Sequence, residues 1–384
     1  MSCVEEKIFL VFSGGNDRAV VAFLRALHLC GKRAAIVART PSDRISRSIF
    51  RKDIVWTRPT HELSIEVFEL CVAKVRQKFP SEMLVILPST EYLNLFLLEN
   101  RDQIQRLGCE IPLVRKELYL KLSEKRSATD LFEAEGFRVP KEIESTRLTP
   151  PIVAKPKSNR STNGVSNYPH LLLNGQELEK FPLSNRANDY FFQEYVVGES
   201  HYLMFYICKN TNEVYKWSQR NLLQQQSGKS ILFAEPSFFH ESAGAAAFIS
   251  ALSRKGFHGI GMIEVIRRDG DDVFIEFNPR IWGPIQFCLD QRQEILQAFI
   301  GETLTGTPHA YLDCLPSSKK NYYLWLGGLL ESLLSSGRLS WKQNRWKLLS
   351  KIVRNIGCDV YFRSDTIHCF RVEIMSNIKL RWWK

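Results

Sequence analysis

Gly261-Met262-Ile263-Glu264-Val265-Ile266-Arg267-Arg268-Asp269-Gly270-Asp271-Asp272-Val273-Phe274-Ile275-Glu276-Phe277-Asn278-Pro279-Arg280 is the stretch on which the reading of this chain turns. Turn-forming residues occupy its middle, Arg268 to Asp272, with β-branched and aromatic residues on both sides. It reads as a β-hairpin centred near Gly270. With pairing symmetric about Gly270, Val265 faces Ile275, Ile266 faces Phe274, and Glu264 faces Glu276. Directly opposed side chains have Cβ atoms ~4.5–5.5 Å apart, where like charges are destabilising.

Protonation of one acid, a basic neighbour, or a divalent cation held between the oxygens would offset that repulsion. Asn278, two residues beyond Glu276, points to the same face by strand alternation and adds a neutral oxygen. Two acids and an amide suit Mg²⁺, a hard cation that keeps waters and takes its remaining ligands from substrate phosphates. The competing reading, a solvated face in a register shifted by one, is opposed by the apolar Met262, Ile266 and Phe274 on the same face.

Upstream, Lys7–Phe12 is a short apolar run that breaks at Ser13-Gly14-Gly15 before an amphipathic stretch from Asp17 to Cys30, ended by Gly31. The strand Ala34–Ala38, a helix over 62–78, the strand Leu84–Leu87 and a helix over 91–107 continue the alternation. Residues 1–115 therefore read as a doubly wound parallel α/β domain. Gly-Gly after the first strand serves a tight turn or a phosphate at the helix N-terminus. Ser123 is expected to cap a helix to Glu135, stopped by Gly136. Ile152–Lys155, Tyr190–Val197, His201–Cys208 and Glu213–Ser218 then read as short strands of a strand-rich second unit.

The composition is that of a folded chain: 384 residues, 44% hydrophobic and 24% charged, with no low-complexity tract. No uncharged apolar stretch approaches the ~20 residues of a membrane-spanning helix. Glu5 and Glu6 stand where a signal peptide would be basic, so a cytoplasmic chain is expected. The nine cysteines never lie closer than eleven apart, which argues for reduced thiols rather than a zinc site or a disulfide framework. The net charge of +11 is local: residues 338–384 hold eleven Lys/Arg against three Asp/Glu, or +8.

At this point the residues resemble the ATP-grasp superfamily, of the carbamoyl phosphate synthase-like, carboxylate–amine ligase type. Glu264, Glu276 and Asn278 match its magnesium ligands, and Ile275-Glu276-Phe277-Asn278-Pro279-Arg280 looks like its Glu-hydrophobic-Asn-Pro-Arg signature. Residues 123–140 are similar to the segment in which a lysine, here Lys125, reaches the nucleotide phosphates. Pro151–Pro156 resembles the strand carrying a second such lysine, Lys155. Phe192–Glu199 looks like the hinge between lobes, so the resemblance implies adenine contacts at Gln193, Glu194 and Val196 and a ribose contact at Glu199. The phosphate loop departs from the family's pattern: 157–165 has a single glycine, Gly164, and Ser161 supplies a hydroxyl instead.

What the resemblance implies is a doubly wound domain (1–115), a two-lobed ATP-grasp fold (116–310) and a basic C-terminal subdomain (311–384). The activity implied is that of a ligase using ATP and Mg²⁺: a substrate carboxylate attacks the γ-phosphate, and an amine displaces phosphate from the acylphosphate. Lys155 and Arg280 would act in catalysis, and Arg280 and Arg220 would hold the substrate. A non-catalytic nucleotide-binding regulator and a ligase with a thiol or hydroxyl acceptor are the alternatives. His201, His240 and His258 stand apart from any acid or cysteine at ligand spacing and are assigned no catalysis.

The tail over 338–384 carries Trp341, Trp346, Trp382 and Trp383. Leu339, Trp346, Leu349, Ile352 and Val353 fall at helical spacing among cations, and Val360–Arg363 and Thr366–Val372 look like strands. Packing onto the nucleotide lobes competes with contact to an anionic membrane surface or anionic substrate. The partners expected are a carboxylate and an amine of small size, with a homodimer as one assembly; nucleic acid is not expected.

Overall fold

The computed structural model describes residues 6–157, 168–181, 189–228, 230–268, 270–317, 319–335, 339–341 and 345–382. The first unit is built on β1 (Lys7–Phe12), β2 (Ala34–Ala38), β3 (Ile54–Thr57), β4 (Met83–Ile86) and β5 (Cys109–Glu110), in the order β3-β2-β1-β4-β5. Every pair is parallel. β1 and β2 are almost wholly buried, as continuous apolar strands in a sheet covered on both faces should be. The helices α1 (Asp17–Leu29), α2 (Ile65–Arg76), α3 (Glu91–Glu99) and α4 (Arg101–Arg106) cover it. The expected doubly wound start is thus present. The helix expected over 91–107 is broken at Asn100, and β3 and β5 are additions.

Two short helices, α5 (Lys116–Ser123) and α6 (Lys125–Ala134), lead out of this unit. The cap of α6 is not Ser123, which ends α5, but Glu124, whose carboxylate accepts from the N–H groups of Arg126 and Ser127. Gly136 stops α6 in the left-handed region, with φ +85.

A four-stranded sheet follows, from β6 (Glu142–Ile143), β7 (Ile152–Pro156), β8 (His170–Leu172) and β9 (Tyr190–Glu194) in the order β6-β9-β7-β8. Beyond the hinge lies a larger sheet of β10 (Glu199–Ile207), β11 (Val214–Gln224), β12 (Ile231–Ser237), β13 (Gly259–Arg268), β14 (Asp271–Asn278), β15 (Tyr323–Leu324) and β16 (Ser340–Trp341). Its order is β14-β13-β10-β11-β12-β15, with β16 on β11. One apolar cluster runs from β1 and α1 through β10 and the helix Ile295–Thr305 to Val360, Tyr361 and Cys369.

The C-terminal region differs from expectation. Neither expected strand forms: Val360–Arg363 is a loop, and Thr366–Val372 falls largely within a helix that spans Ile367–Trp382. Its buried stripe, Cys369, Glu373 and Asn377, recurs every four residues but is mostly polar: Glu373 accepts from Trp325 Nε1 and Asn377 donates to the Gly327 carbonyl. In the helix Arg345–Arg354 the buried positions are Leu348 and Ile352, whereas Trp346 and Val353 are 69% and 65% exposed. The side chains of Trp341 and Trp382, and all of Trp383, lie outside the described residues. The region is tied down by Arg25, which bridges to Asp365 at 2.6 Å, and by Arg363, which bridges to Asp290 at 2.6 Å. Among the described residues no helix is long and apolar enough to cross a membrane.

Candidate active site

β13 and β14 form the expected hairpin, and Glu264 is the register partner of Glu276. The symmetric register holds only on that side: Ile263 meets Phe277 and Met262 meets Asn278. Between Glu264 and Val265 the ladder slips, so Val265 meets Phe274 and Ile266 meets Val273, which corrects the two expected apolar pairs. Ile275 is the extra residue of this bulge. Its carbonyl accepts from Lys155 Nζ at 3.0 Å. Lys155 is thereby held against the strand that carries Glu276 by a backbone oxygen.

The seven strands set the acids in rows. Gln219 of β11, Tyr202 of β10, Glu264 and Glu276 are successive cross-strand partners, and the next row on that face is Trp217, Met204, Met262 and Asn278. A chain of donors runs along the face toward the acids. Gln219 Nε2 donates to Asn221 Oδ1 at 2.7 Å, Asn221 Nδ2 to Ser200 Oγ at 2.8 Å, and Ser200 Oγ to Glu264 Oε1 at 2.8 Å. Asn278 Nδ2 donates to Glu276 Oε1 at 2.8 Å, and Arg280 donates to Asn278 Oδ1 at 2.9 Å and to the Ile281 carbonyl at 3.1 Å. Among the described residues Arg280 makes no ion pair with an acid.

Lys155 is 8% exposed. Burial pushes its ammonium down to about 8, with Glu276 and Glu264 holding it up and Lys125 adding to the fall. Lys125, the first residue of α6, is therefore near enough to share the site. Tyr202 is raised well above the ordinary phenol range by burial and by Glu264 and Glu276, so its hydroxyl stays protonated. Sequence reasoning missed Tyr202, Ser200 and Asn221; their only signal is strand alternation relative to Glu264.

The hinge joins β9 to β10 through 195–198, and one cleft is lined by Lys155, Gln193, Val196, Ser200, Glu264 and Glu276. Gln193 is 2% exposed; its Nε2 donates to the Pro140 carbonyl at 3.3 Å, and its buried Oε1 has no partner among the described residues. Glu194 also lines the cleft, but its carboxylate accepts from the Lys141 N–H at 3.1 Å. Tyr195 and Val196 form no backbone hydrogen bond among the described residues. Free backbone edges beside an orphaned amide oxygen fit a flat heteroaromatic ring with donors and acceptors on one edge.

Two expected site residues are not brought to this cleft. Glu199 and Arg220 stand one position out of phase with Ser200 and Asn221, and alternation puts them on the other face of the sheet. There Arg220 bridges Glu199 at 2.6 Å and also pairs with Glu235, which Lys351 reaches at 2.9 Å. Ser200, not Glu199, lines the cleft. His201, on the Glu199 face, is pushed down to about 4 by burial first and Arg267 next, and is a neutral hydrogen-bonding group. Ser161, expected on phosphate, lies outside the described residues.

The oxygen set of Glu264, Glu276 and Asn278 fits Mg²⁺. Among the described residues no cluster of three or more His, Cys, Asp or Glu is placed to hold a metal, so such an ion would complete its shell from water and phosphate oxygens.

No protein-family model matches the sequence, and no curated protein matches it. Solved structures do. The chain is similar to pyruvate carboxylase of Rhizobium etli, with TM-score 0.57 and 16% identity over 83% of this chain and 30% of that one. It is similar to biotin carboxylase of Campylobacter jejuni, solved with an ATP analogue, with TM-score 0.57 and 14% identity over 84% and 75% of the two chains. It is similar to the L-amino acid ligase of Bacillus licheniformis, with TM-score 0.54 and 14% identity over 78% and 75%. This chain thus spans under a third of the pyruvate carboxylase chain, but three quarters of the other two. The fold of this chain is thus the one it shares with these enzymes, the ATP-grasp fold expected from its sequence.

Proposed function

We propose that this chain is an ATP-dependent, ADP-forming ligase that activates a small carboxylate and joins it to an amine. The observation that carries the reading is the pairing of Glu264 with Glu276, with Asn278 on the same face and Lys155 bound to the bulge beside them. The similarity to enzymes of carboxylate activation supports it.

In this reading the hinge backbone at Tyr195 and Val196, with Gln193 Oε1, binds the adenine edge. Lys125 and Lys155 hold the phosphates and neutralise charge as the γ-phosphoryl group moves, the larger part of catalysis in phosphoryl transfer. Glu264, Glu276 and Asn278 would hold Mg²⁺, which when bound supplies charge neutralisation at the phosphate oxygens. Arg280, fixed by Asn278 and the Ile281 carbonyl, directs its remaining donors to the carboxylate oxygens. The carboxylate oxygen attacks the γ-phosphorus and ADP leaves; the amine then attacks the acyl carbon, phosphate leaves, and the amine loses a proton.

A screen of amino acids and other small carboxylates, each with an amine, for ADP release is the test. ADP and phosphate in equal amounts, dependent on both substrates, are expected; AMP as product, or nucleotide binding with no turnover on any pair, overturns the reading.

A further inference from the structure

Outside the nucleotide cleft, one concavity gathers more positive charge than its surroundings neutralise. A cleft of about 410 Å³ opens where the start of β1, the helix α4, the linker 111–115, the turn after β10 and the start of β13 come together, against the last turn of the helix Ile295–Thr305. Its volume falls in the range of small-molecule sites, ~300–1,000 Å³. Four permanent cations line it, Lys7, Arg101, Arg115 and Lys209, against two acids, Glu110 and Glu302, an excess of two positive charges.

Both acids are already engaged. Glu110 pairs with Lys7 at 2.6 Å. Glu302 accepts from the Tyr206 hydroxyl, from the Lys209 N–H at 3.0 Å and from the Asn210 N–H at 2.8 Å. Arg101 donates through one nitrogen to the carbonyls of Leu113 and Val114 at 3.0 and 2.9 Å, and Asp102 and Glu117 act on it only at a distance. Arg101, Arg115 and Lys209 thus form no ion pair among the described residues. His258 on the wall registers the resulting field: burial first, then Lys209, hold it below the ordinary imidazole range, with Glu302 opposing and Arg101 adding. Uncompensated cations converging on one concavity repel each other, and an anion of matching charge relieves that repulsion.

We propose that this cleft binds a small polyanion, carrying phosphate or carboxylate oxygens, at a site separate from the nucleotide cleft. Arginine forks and a lysine point charge suit such oxygens. The position gives the site reach. β10 runs from Tyr206 at this cleft to Tyr202 beside Glu264, four residues or about 13 Å at a strand's rise. The linker 111–115 in its wall leads into α5 and α6, which carries Lys125. An anion here would brace the parallel domain against the sheet that holds the acids.

Isothermal titration of the full chain with pyrophosphate and with citrate, at constant ionic strength, tests this. Saturable binding of at least one probe is expected, weakened at least tenfold in the double variant Arg115→Gln/Lys209→Gln. The charge-matched control Lys52→Gln/Lys180→Gln, at exposed lysines elsewhere, should change it less than twofold. A preference for pyrophosphate assigns a phosphate ligand; a preference for citrate assigns a polycarboxylate. No saturable binding, or equal weakening in both double variants, overturns the proposal. So does binding abolished by Lys155→Met but intact in Arg115→Gln/Lys209→Gln, which would place the anion in the nucleotide cleft.

Discussion

Lys155 Nζ and the Ile275 carbonyl are 3.0 Å apart, and Ile275 is the residue that the bulge releases from the β13–β14 ladder. In a ladder continued unbroken from the turn, where Arg268 meets Asp271, Ile275 would have faced Glu264. The slip does two things together: it keeps Glu264 opposite Glu276, and it offers a neutral backbone oxygen to a buried ammonium. Lys155 is thus oriented by a backbone dipole, and among the described residues it forms no ion pair with an acid.

Lys155 should impose a pH dependence on both stability and binding. Its value falls from 10.5 to about 8 in the folded chain, so between those limits the unfolded chain holds the extra proton and stability rises with pH. The slope contributed by this group should vanish in Lys155→Met, read as the difference in urea midpoints between pH 8 and 10. Above pH 8 the wild-type KM for ATP should rise, and Lys155→Met should lower kcat/KM by about 10²–10³-fold. Identical pH profiles for the two proteins would refute the assignment.

Glu276→Gln keeps the hydrogen bond from Asn278 but removes one of the two facing charges. Glu276 is the strongest influence holding Lys155 up, so the alkaline limb of nucleotide binding should move to lower pH in the variant. Activity should fall by at least about a hundredfold, with much more Mg²⁺ needed for half-maximal rate. A variant with the wild-type Mg²⁺ requirement would show that the pair does not hold the ion.

Arg220→Ala and Ser200→Ala should separate the two faces of the large sheet. Arg220 lies with Glu199 and Glu235 away from the acids and is about a third exposed, so its removal should cost about 1 kcal/mol at most and leave both KM values within about twofold. Ser200→Ala interrupts the donor chain to Glu264 and should raise the KM for MgATP instead. A rise in the carboxylate KM alone for Arg220→Ala would return that residue to the substrate.

Asp359 is fully buried and accepts the N–H groups of Leu326 and Tyr361 at 2.7 Å each and of Phe362 at 3.1 Å. Asp359→Ala strands three donors and should lower stability by about 3 kcal/mol or more. Because burial raises its carboxyl to about 6 in the folded chain, the favourable contribution of this group is present at low pH and declines as pH rises from 3.8 through 6. Urea unfolding of the variant and wild type at pH 4 and 7 measures both effects.

The amino-acid sequence by itself determined what short-range chemistry can determine. A β-branched hairpin with acids at matched distances from its turn, continuous apolar strands before helices, and Gly136 at a helix end each carry their cause within a few residues. Tertiary structure decided the rest. The carbonyl that the bulge at Ile275 releases is taken by Lys155, which is 120 positions away in the chain. The side of the sheet taken by Glu199 and Arg220 depends on register with β13, where a shift of one residue exchanges the faces. The helix Ile367–Trp382 buries Glu373 and Asn377 on partners that come together only on folding, so its polar inner stripe leaves no apolar period to read. The cationic cleft is likewise assembled from distant segments, because charge accumulates there by proximity in space and not along the chain.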